Sequence, residues 1–158
     1  MKTILFVCTG NTCRSAMAEA LLKDALMNAG GQAKGKIEVM SAGVAASQGE
    51  KASAHAVRVL GDLGIDLSGH KASQLTDGLI DKASLILTMT ESHKGIIKVM
   101  NPGARGKVYT FLEYIGGLGE DVKAKDILDP FGGSIQVYRK SAAEIKKAVD
   151  KLVEGLVN

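Results

Sequence analysis

Residues 3–15 read Thr3-Ile4-Leu5-Phe6-Val7-Cys8-Thr9-Gly10-Asn11-Thr12-Cys13-Arg14-Ser15, and a helical pattern follows from Ala16 to Ala29. Thr3 to Val7 is short, apolar and rich in β-branched and aromatic residues, as a strand buried on both faces requires. Met17, Ala20, Leu21, Leu22, Ala25 and Leu26 then recur at helical spacing until Gly30-Gly31 stops the helix. A buried strand feeding a helix through a Gly-Asn loop is the opening unit of a parallel α/β sheet. In such sheets ligands bind beyond the carboxyl ends of the strands, where the βα loops gather.

The alternation continues along the chain. Ile37 to Met40 is a second strand closed by Ser41-Ala42-Gly43, and Ala54 to Leu63 a helix with Val57, Leu60 and Leu63 on one face. A shorter helix is expected over Leu75 to Lys82, a third strand over Ser84 to Met89, and a helix over Glu91 to Met100 stopped by Asn101-Pro102-Gly103. Lys107 to Phe111 is the fourth strand. Leu112 to Gly133 is rich in Gly and Asp and reads as a long loop, the kind that in a compact domain is functional or disordered. Ile145, Val149, Leu152 and Leu156 mark a final amphipathic helix within Ile135 to Val157. The expectation is an open parallel four-stranded sheet flanked by helices, a single domain over residues 1–158 with right-handed crossovers.

Composition agrees with this. The 158 residues are 46% hydrophobic and 23% charged, enough for a core, while 4% aromatics and no Trp leave that core to aliphatic side chains. A net charge of +3 without a dense Lys/Arg block speaks against nucleic acid as a partner. Lys34, Lys36, Lys123 and Lys125 read as solvated surface positions. No apolar run reaches the ~18 residues of a membrane span, and no signal peptide fits the N-terminus. With Cys8 and Cys13 its two cysteines, the chain is expected in the reducing cytoplasm, as a monomer, with catalytic rather than structural thiols.

The first βα loop carries the chemistry. A loop entering a helix directs unpaired N–H groups at one spot, and the helix dipole adds positive charge there. Gly10 and Asn11 tolerate positive φ, so the loop can curl and its amides converge on a tetrahedral dianion. Cys8 starts the curl, where amides and a neighbouring guanidinium favour the thiolate of a cysteine. Arg14 supplies the guanidinium, whose planar fork matches two phosphate oxygens. Ser15 is placed to donate its hydroxyl to the sulfur. A strand-end Cys alone would be a small buried hydrophobe, and an Arg early in a helix a surface residue; the combination makes the motif.

Cys8-x5-Arg14-Ser15 after the opening strand resembles the phosphate-binding loop of the low-molecular-weight protein tyrosine phosphatase family. The resemblance continues through Met17-Ala18-Glu19-Ala20, Ser41-Ala42-Gly43, His70 and Asp129-Pro130-Phe131-Gly132-Gly133-Ser134, so it spans nearly the whole chain. Ala16 departs from the Pro that many members carry at the first helical position, where Pro only pre-sets φ. The resemblance implies a protein phosphatase that uses Cys8 as nucleophile, Arg14 as phosphate clamp and a phosphocysteine intermediate, with no cofactor and no metal. It further implies that Thr9, Gly10, Asn11, Thr12, Cys13 and Ser15 serve phosphate or substrate binding. Asn11, Ser15, Ser41 and His70 would form a hydrogen-bond network that holds the strained loop.

A thiolate that displaces a leaving group from phosphorus needs an acid on a second loop. Asp129, stiffened by Pro130 and followed by Phe131, is the candidate, and Asp-Pro at this place is by similarity the family's acid. Asp121 and Asp126 read as turn residues, and His55 and His93 as surface. Tyrosine-selective members present a bulky apolar residue where this chain has Thr12, and place aromatic walls beside a flat ring. Here Gly43 to His55 contains no aromatic residue, and Phe131 stands alone after the acid. A hydroxyl and a carboxylate suit a guanidinium, and the loop Cys8-Thr9-Gly10-Asn11-Thr12-Cys13-Arg14-Ser15 together with Asp129-Pro130-Phe131-Gly132-Gly133-Ser134 resembles the protein arginine phosphatase branch of the family. The alternatives are a tyrosine phosphatase, an arsenate reductase, which needs further cysteines, and a phosphoprotein-binding module without turnover. Cys13 has two readings, a small residue facing the core or a partner that traps Cys8 as a disulfide.

Overall fold

The computed structural model describes residues 2–30, 35–119 and 125–157. Four parallel strands, β1 (Lys2–Cys8), β2 (Ile37–Gly43), β3 (Leu85–Thr88) and β4 (Val108–Thr110), form one sheet in the spatial order β2-β1-β3-β4. The described helices are α1 (Arg14–Ala29), α2 (Ala54–Asp62), α3 (Asp77–Lys82), α4 (Glu91–Met100), α5 (Phe111–Gly116) and α6 (Ile135–Val157). A 3-10 turn, Pro102–Lys107, leads into β4.

The period of two along β1 decides how the layers form. Ile4, Phe6 and Cys8 join a core built with α1, α2, α5 and α6, in which the fully buried rings of Phe6 and Phe111 lie 5.1 Å apart. Leu5 and Val7 point the other way, into a second core with Ile80 of α3, Ile97 of α4, Ala104 and Val108. Because both faces are covered, β1 is apolar without interruption from Ile4 to Val7, which is why the strand reads as an unbroken run. The chain passes from β1 to β2 on one side and returns to β3 on the other. The carboxyl end of β1 therefore opens at the point where the strand order reverses, the place such sheets reserve for ligands.

Several boundaries differ from those the sequence suggests. β2 does not close at Ser41: Phe6, Val7 and Cys8 of β1 pair with Ser41, Ala42 and Gly43, so the ladder carries the strand on. Gly43 is needed there, because a Cβ would strike the Thr9 carbonyl and the Asn11 amide of the neighbouring loop. α1 begins at Arg14, two residues earlier than the apolar period shows, and α3 begins only at Asp77, behind the cap Thr76. The fourth strand ends at Thr110 and the expected long loop starts instead with α5. Thr110 Oγ1 accepts from the Glu113 amide at 3.1 Å while Glu113 accepts from the Thr110 amide at 3.1 Å, a capping box that starts the helix at once. Gly31, Lys34, Asp121 and Lys123 lie outside the described residues. No described helix is long and apolar enough to cross a membrane.

Candidate active site

At the end of β1 the chain turns through Thr9, Gly10, Asn11 and Thr12 before α1 begins. Asn11 has φ 58°, the one positive φ on a non-glycine residue among those described. Asn tolerates this region because its short amide can bond locally, and here every one of its polar groups is engaged. The Ser73 amide donates to Asn11 Oδ1 at 2.9 Å, which fixes the side-chain orientation. Asn11 Nδ2 must then donate, and it reaches Ser15 Oγ at 2.8 Å and Ser41 Oγ at 2.9 Å. Ser41 passes its own proton to Glu19 Oε1 at 2.6 Å. The Asn11 carbonyl can only accept, so His70 Nε2 carries the proton in their 2.7 Å bond.

This order of protons has a consequence at the sulfur. Ser15 Oγ already accepts from Asn11, so its hydroxyl is left to donate to Cys8 Sγ at 2.8 Å. The Asn11 amide adds a second donor to the same sulfur at 3.3 Å. Cys8 is 3% exposed, at the bottom of a pocket of ≈ 230 Å³. Cys13 occupies the N-cap of α1 without a side-chain capping bond among the described residues, so the start of that helix faces the loop uncapped.

Arg14, the first helical residue, is buried at 4% exposure. Its Nη1 donates to the Ile127 carbonyl at 3.0 Å, and Nη2 lies 3.4 Å from Asp129 Oδ2. Ile127 is itself tied to the chain just beyond β3, its amide donating to the Met89 carbonyl at 2.8 Å. Arg14 is thus the bridge between the phosphate loop and the segment that carries Asp129. Asp129 leaves 52% of its side chain in solvent, and its Oδ1 accepts from the Phe131 amide at 3.0 Å, a local turn that stiffens Asp-Pro-Phe.

The pocket is lined by Cys8, Thr9, Gly10, Thr12, Cys13, Arg14, Asp129 and Phe131, all anticipated from the sequence, and by Glu50, which was not. Asn11, Ser15, Ser41 and His70 stand behind the loop, bonded as described. Cys13 is buried, its sulfur 3.4 Å from the Tyr138 hydroxyl and 3.6 Å from Ser53 Oγ, and both cysteines are free thiols. Burial, together with the Cys13 contact, holds the Tyr138 phenol above its ordinary pKa. Among the described residues no cluster of three or more His, Cys, Asp or Glu side chains is arranged to hold a metal.

Two expectations are corrected. His93 is not a surface residue: it is 5% exposed, with Nε2 2.9 Å from Thr9 Oγ1 and Nδ1 3.0 Å from Thr90 Oγ1. Burial first, and the Arg14 charge second, lower its pKa to about 4, against smaller upward pulls from Asp126 and Asp129. Asp126, though exposed, is more than a turn residue, since it accepts from the Glu91 amide at 2.8 Å and ties the segment that carries Asp129 to the start of α4. Ser73 and Glu50 carry no sequence signal of their own, and Glu19 enters the sequence reading only within the Met17-Ala18-Glu19-Ala20 resemblance, with no role attached. Only the Ser-x-Gly closure of β2 beside an Asn-containing loop hints that polar partners gather there.

A fold and loop of this geometry define a cysteine-dependent phosphatase class. The family model described as low molecular weight phosphotyrosine protein phosphatase matches residues 3–158, and the chain belongs to that family. It is 45% identical over 97% of its length, and 95% of the relative's, to a Geobacillus stearothermophilus protein named protein-arginine-phosphatase. A solved structure of the YwlE arginine phosphatase, a Cys-to-Ser mutant with a phosphorylated active-site serine, superposes with a TM-score of 0.88. Its identity is 43%, covering 98% of this chain and 95% of that one. The low molecular weight protein tyrosine phosphatase from T. tengcongensis gives a TM-score of 0.88 at 38% identity, covering 98% of this chain and 99% of that one.

Proposed function

We propose that the chain removes phosphate from phosphoarginine on proteins through a phosphocysteine intermediate. Cys8 Sγ attacks phosphorus in line with the P–N bond, Arg14 and the loop amides hold the phosphoryl oxygens, and Asp129 protonates the departing guanidine nitrogen. The P–N bond breaks as the S–P bond forms. Asp129, now a carboxylate, takes a proton from water, whose oxygen attacks phosphorus, and the S–P bond breaks to release phosphate and return the thiolate. Ser15, donating to the sulfur, eases that departure. Charge on the phosphoryl group is met by the guanidinium and the helix start, so the reading needs no metal, and activity should survive EDTA. It further places residues 1–158 as one domain acting as a monomer in the cytoplasm, where the thiol stays reduced.

The observation that carries the choice of substrate is the lining of the pocket. Two carboxylates, Asp129 and Glu50, and the Thr12 hydroxyl surround the mouth above Cys8, while Phe131, 75% exposed, is the one aromatic lining it among the described residues. A positively charged product with several N–H donors matches two carboxylates, and a flat phenyl ring would lack its second wall. The same relationship to relatives named protein-arginine-phosphatase supports this reading. The alternative is phosphotyrosine, which the family description carries.

The test is a parallel assay on phosphoarginine and phosphotyrosine proteins. The wild type should prefer phosphoarginine, and Thr12→Ile should weaken that activity while raising phosphotyrosine hydrolysis. Unchanged selectivity in Thr12→Ile, or a wild-type preference for phosphotyrosine, contradicts the assignment. Hydrolysis of p-nitrophenyl phosphate by the wild type, lost in Cys8→Ser, separates either phosphatase from a binding module.

A further inference from the structure

His93 lies on α4, far along the chain from the phosphate loop, yet its ring is buried against that loop and the mechanism above makes no use of it. Proton counting along the chain Thr90–His93–Thr9 gives it a role. Thr90 Oγ1 accepts from the His93 amide at 3.2 Å as the cap of α4, so its own hydroxyl proton is free to be given away. The acceptor that the described residues offer it is His93 Nδ1, at 3.0 Å. A neutral imidazole has one N–H, and Nδ1 is taken as the acceptor, so the proton sits on Nε2. Burial and the facing Arg14 charge keep the ring neutral at physiological pH. Nε2 then donates to Thr9 Oγ1 at 2.9 Å. Thr9 in turn lines the pocket beside Cys8 and Gly10.

We propose that His93 is a positioning residue that turns the Thr9 hydroxyl outward, so that its proton is offered to a phosphoryl oxygen in the pocket. Without the imidazole, Thr9 would be free to spend that proton elsewhere or on solvent, and the pocket would lose one oriented donor. A donor held in place before the anion arrives costs no reorganisation when it does. The inference rests on the phosphatase reading of the pocket. It adds to the loop amides and Arg14 a side-chain donor that is set by a residue outside the loop.

The experiment measures inorganic phosphate as a competitive inhibitor of p-nitrophenyl phosphate hydrolysis in the wild type, Thr9→Val, His93→Ala, His93→Gln and the double variant Thr9→Val/His93→Ala. Thr9→Val and His93→Ala should each raise the inhibition constant about tenfold. His93→Gln, whose amide can place an N–H near the same point, should recover most of the loss. In the Thr9→Val background His93→Ala should change nothing further. Melting temperatures recorded beside each value separate folding from positioning. A merely structural histidine would weaken phosphate in both backgrounds and in step with stability, and that pattern overturns the proposal. Thr9→Val leaves the buried ring untouched, so if His93→Ala does not fold, an unaltered inhibition constant in Thr9→Val alone overturns it. A wild type that neither turns over p-nitrophenyl phosphate nor binds phosphate would instead reject the phosphatase reading itself.

Discussion

Asn11, fully buried in the phosphate loop, exchanges hydrogen bonds with Cys8, Ser15, Ser41, His70 and Ser73, whereas Asp129 on the facing segment leaves half its side chain in solvent and touches Arg14 and its own turn. The two regions meet at one pocket but solve different problems. The phosphate loop must hold a strained φ and aim several donors at an anion whose place does not change through the reaction, so it is determined from all sides. In the proposed reaction Asp129 gives a proton in one step and takes one in the next, with a protein substrate arriving and leaving past it. Exposure suits that task. Arg14 joins the regions, with one end of its guanidinium on the Ile127 carbonyl and the other near Asp129.

The contrast can be broken from either side. Asp129→Asn should lower kcat by about 10²–10⁴-fold, the usual scale for losing an acid–base group, while leaving the melting temperature within a degree or two of wild type. Steady-state kinetics beside a thermal melt checks both halves. Asn11→Ala should do the reverse in kind, removing the network under the loop and leaving Ser41 and Ser15 short of a donor. A loss of about 3–4 kcal/mol in unfolding free energy is expected, measured by urea titration, and with it weaker phosphate binding.

A smaller effect sharpens the comparison through pH. His93 has a folded-state pKa of about 4, below the 6.5 of the free side chain, so between those values the unfolded chain binds the extra proton. Stability from this group is full above about pH 6.5 and is lost as the pH falls through 4, by up to about 3 kcal/mol. Urea unfolding at several pH values should show this slope in the wild type and a shallower one in His93→Gln. Equal slopes would mean that the ring is protonated in place.

How legible the molecule was in its sequence follows the same division. β1, α1 and α6 are long or strongly periodic, and the reading placed each of them with boundaries within two residues or so. Cys8, Arg14 and Asp129 were named because their types and spacing match a chemical need, and the fold brings them to one pocket. Most of what escaped was non-local. β2 runs on to Gly43 because β1 is there to pair with it, which no local propensity records. α5 hides behind a three-residue strand, although the Thr110 and Glu113 pair that starts it was present to be read. His93 stands one turn before the buried Ile97 on α4, but Ile96, Val99 and Met100 of the same helix are exposed, so its apolar residues do not single out the buried face; only the approach of α4 to the phosphate loop does.

The central claim is that the fixed loop delivers Cys8 to phosphorus. Rapid mixing of Asp129→Asn with a phosphoarginine protein, followed by acid quench and peptide mass spectrometry, tests it most directly. One phosphate should appear on the peptide bearing Cys8, build up before product phosphate and be absent from Cys8→Ala. Release of phosphate at the wild-type rate by Cys8→Ala, or a phosphate found on another residue, would contradict the account.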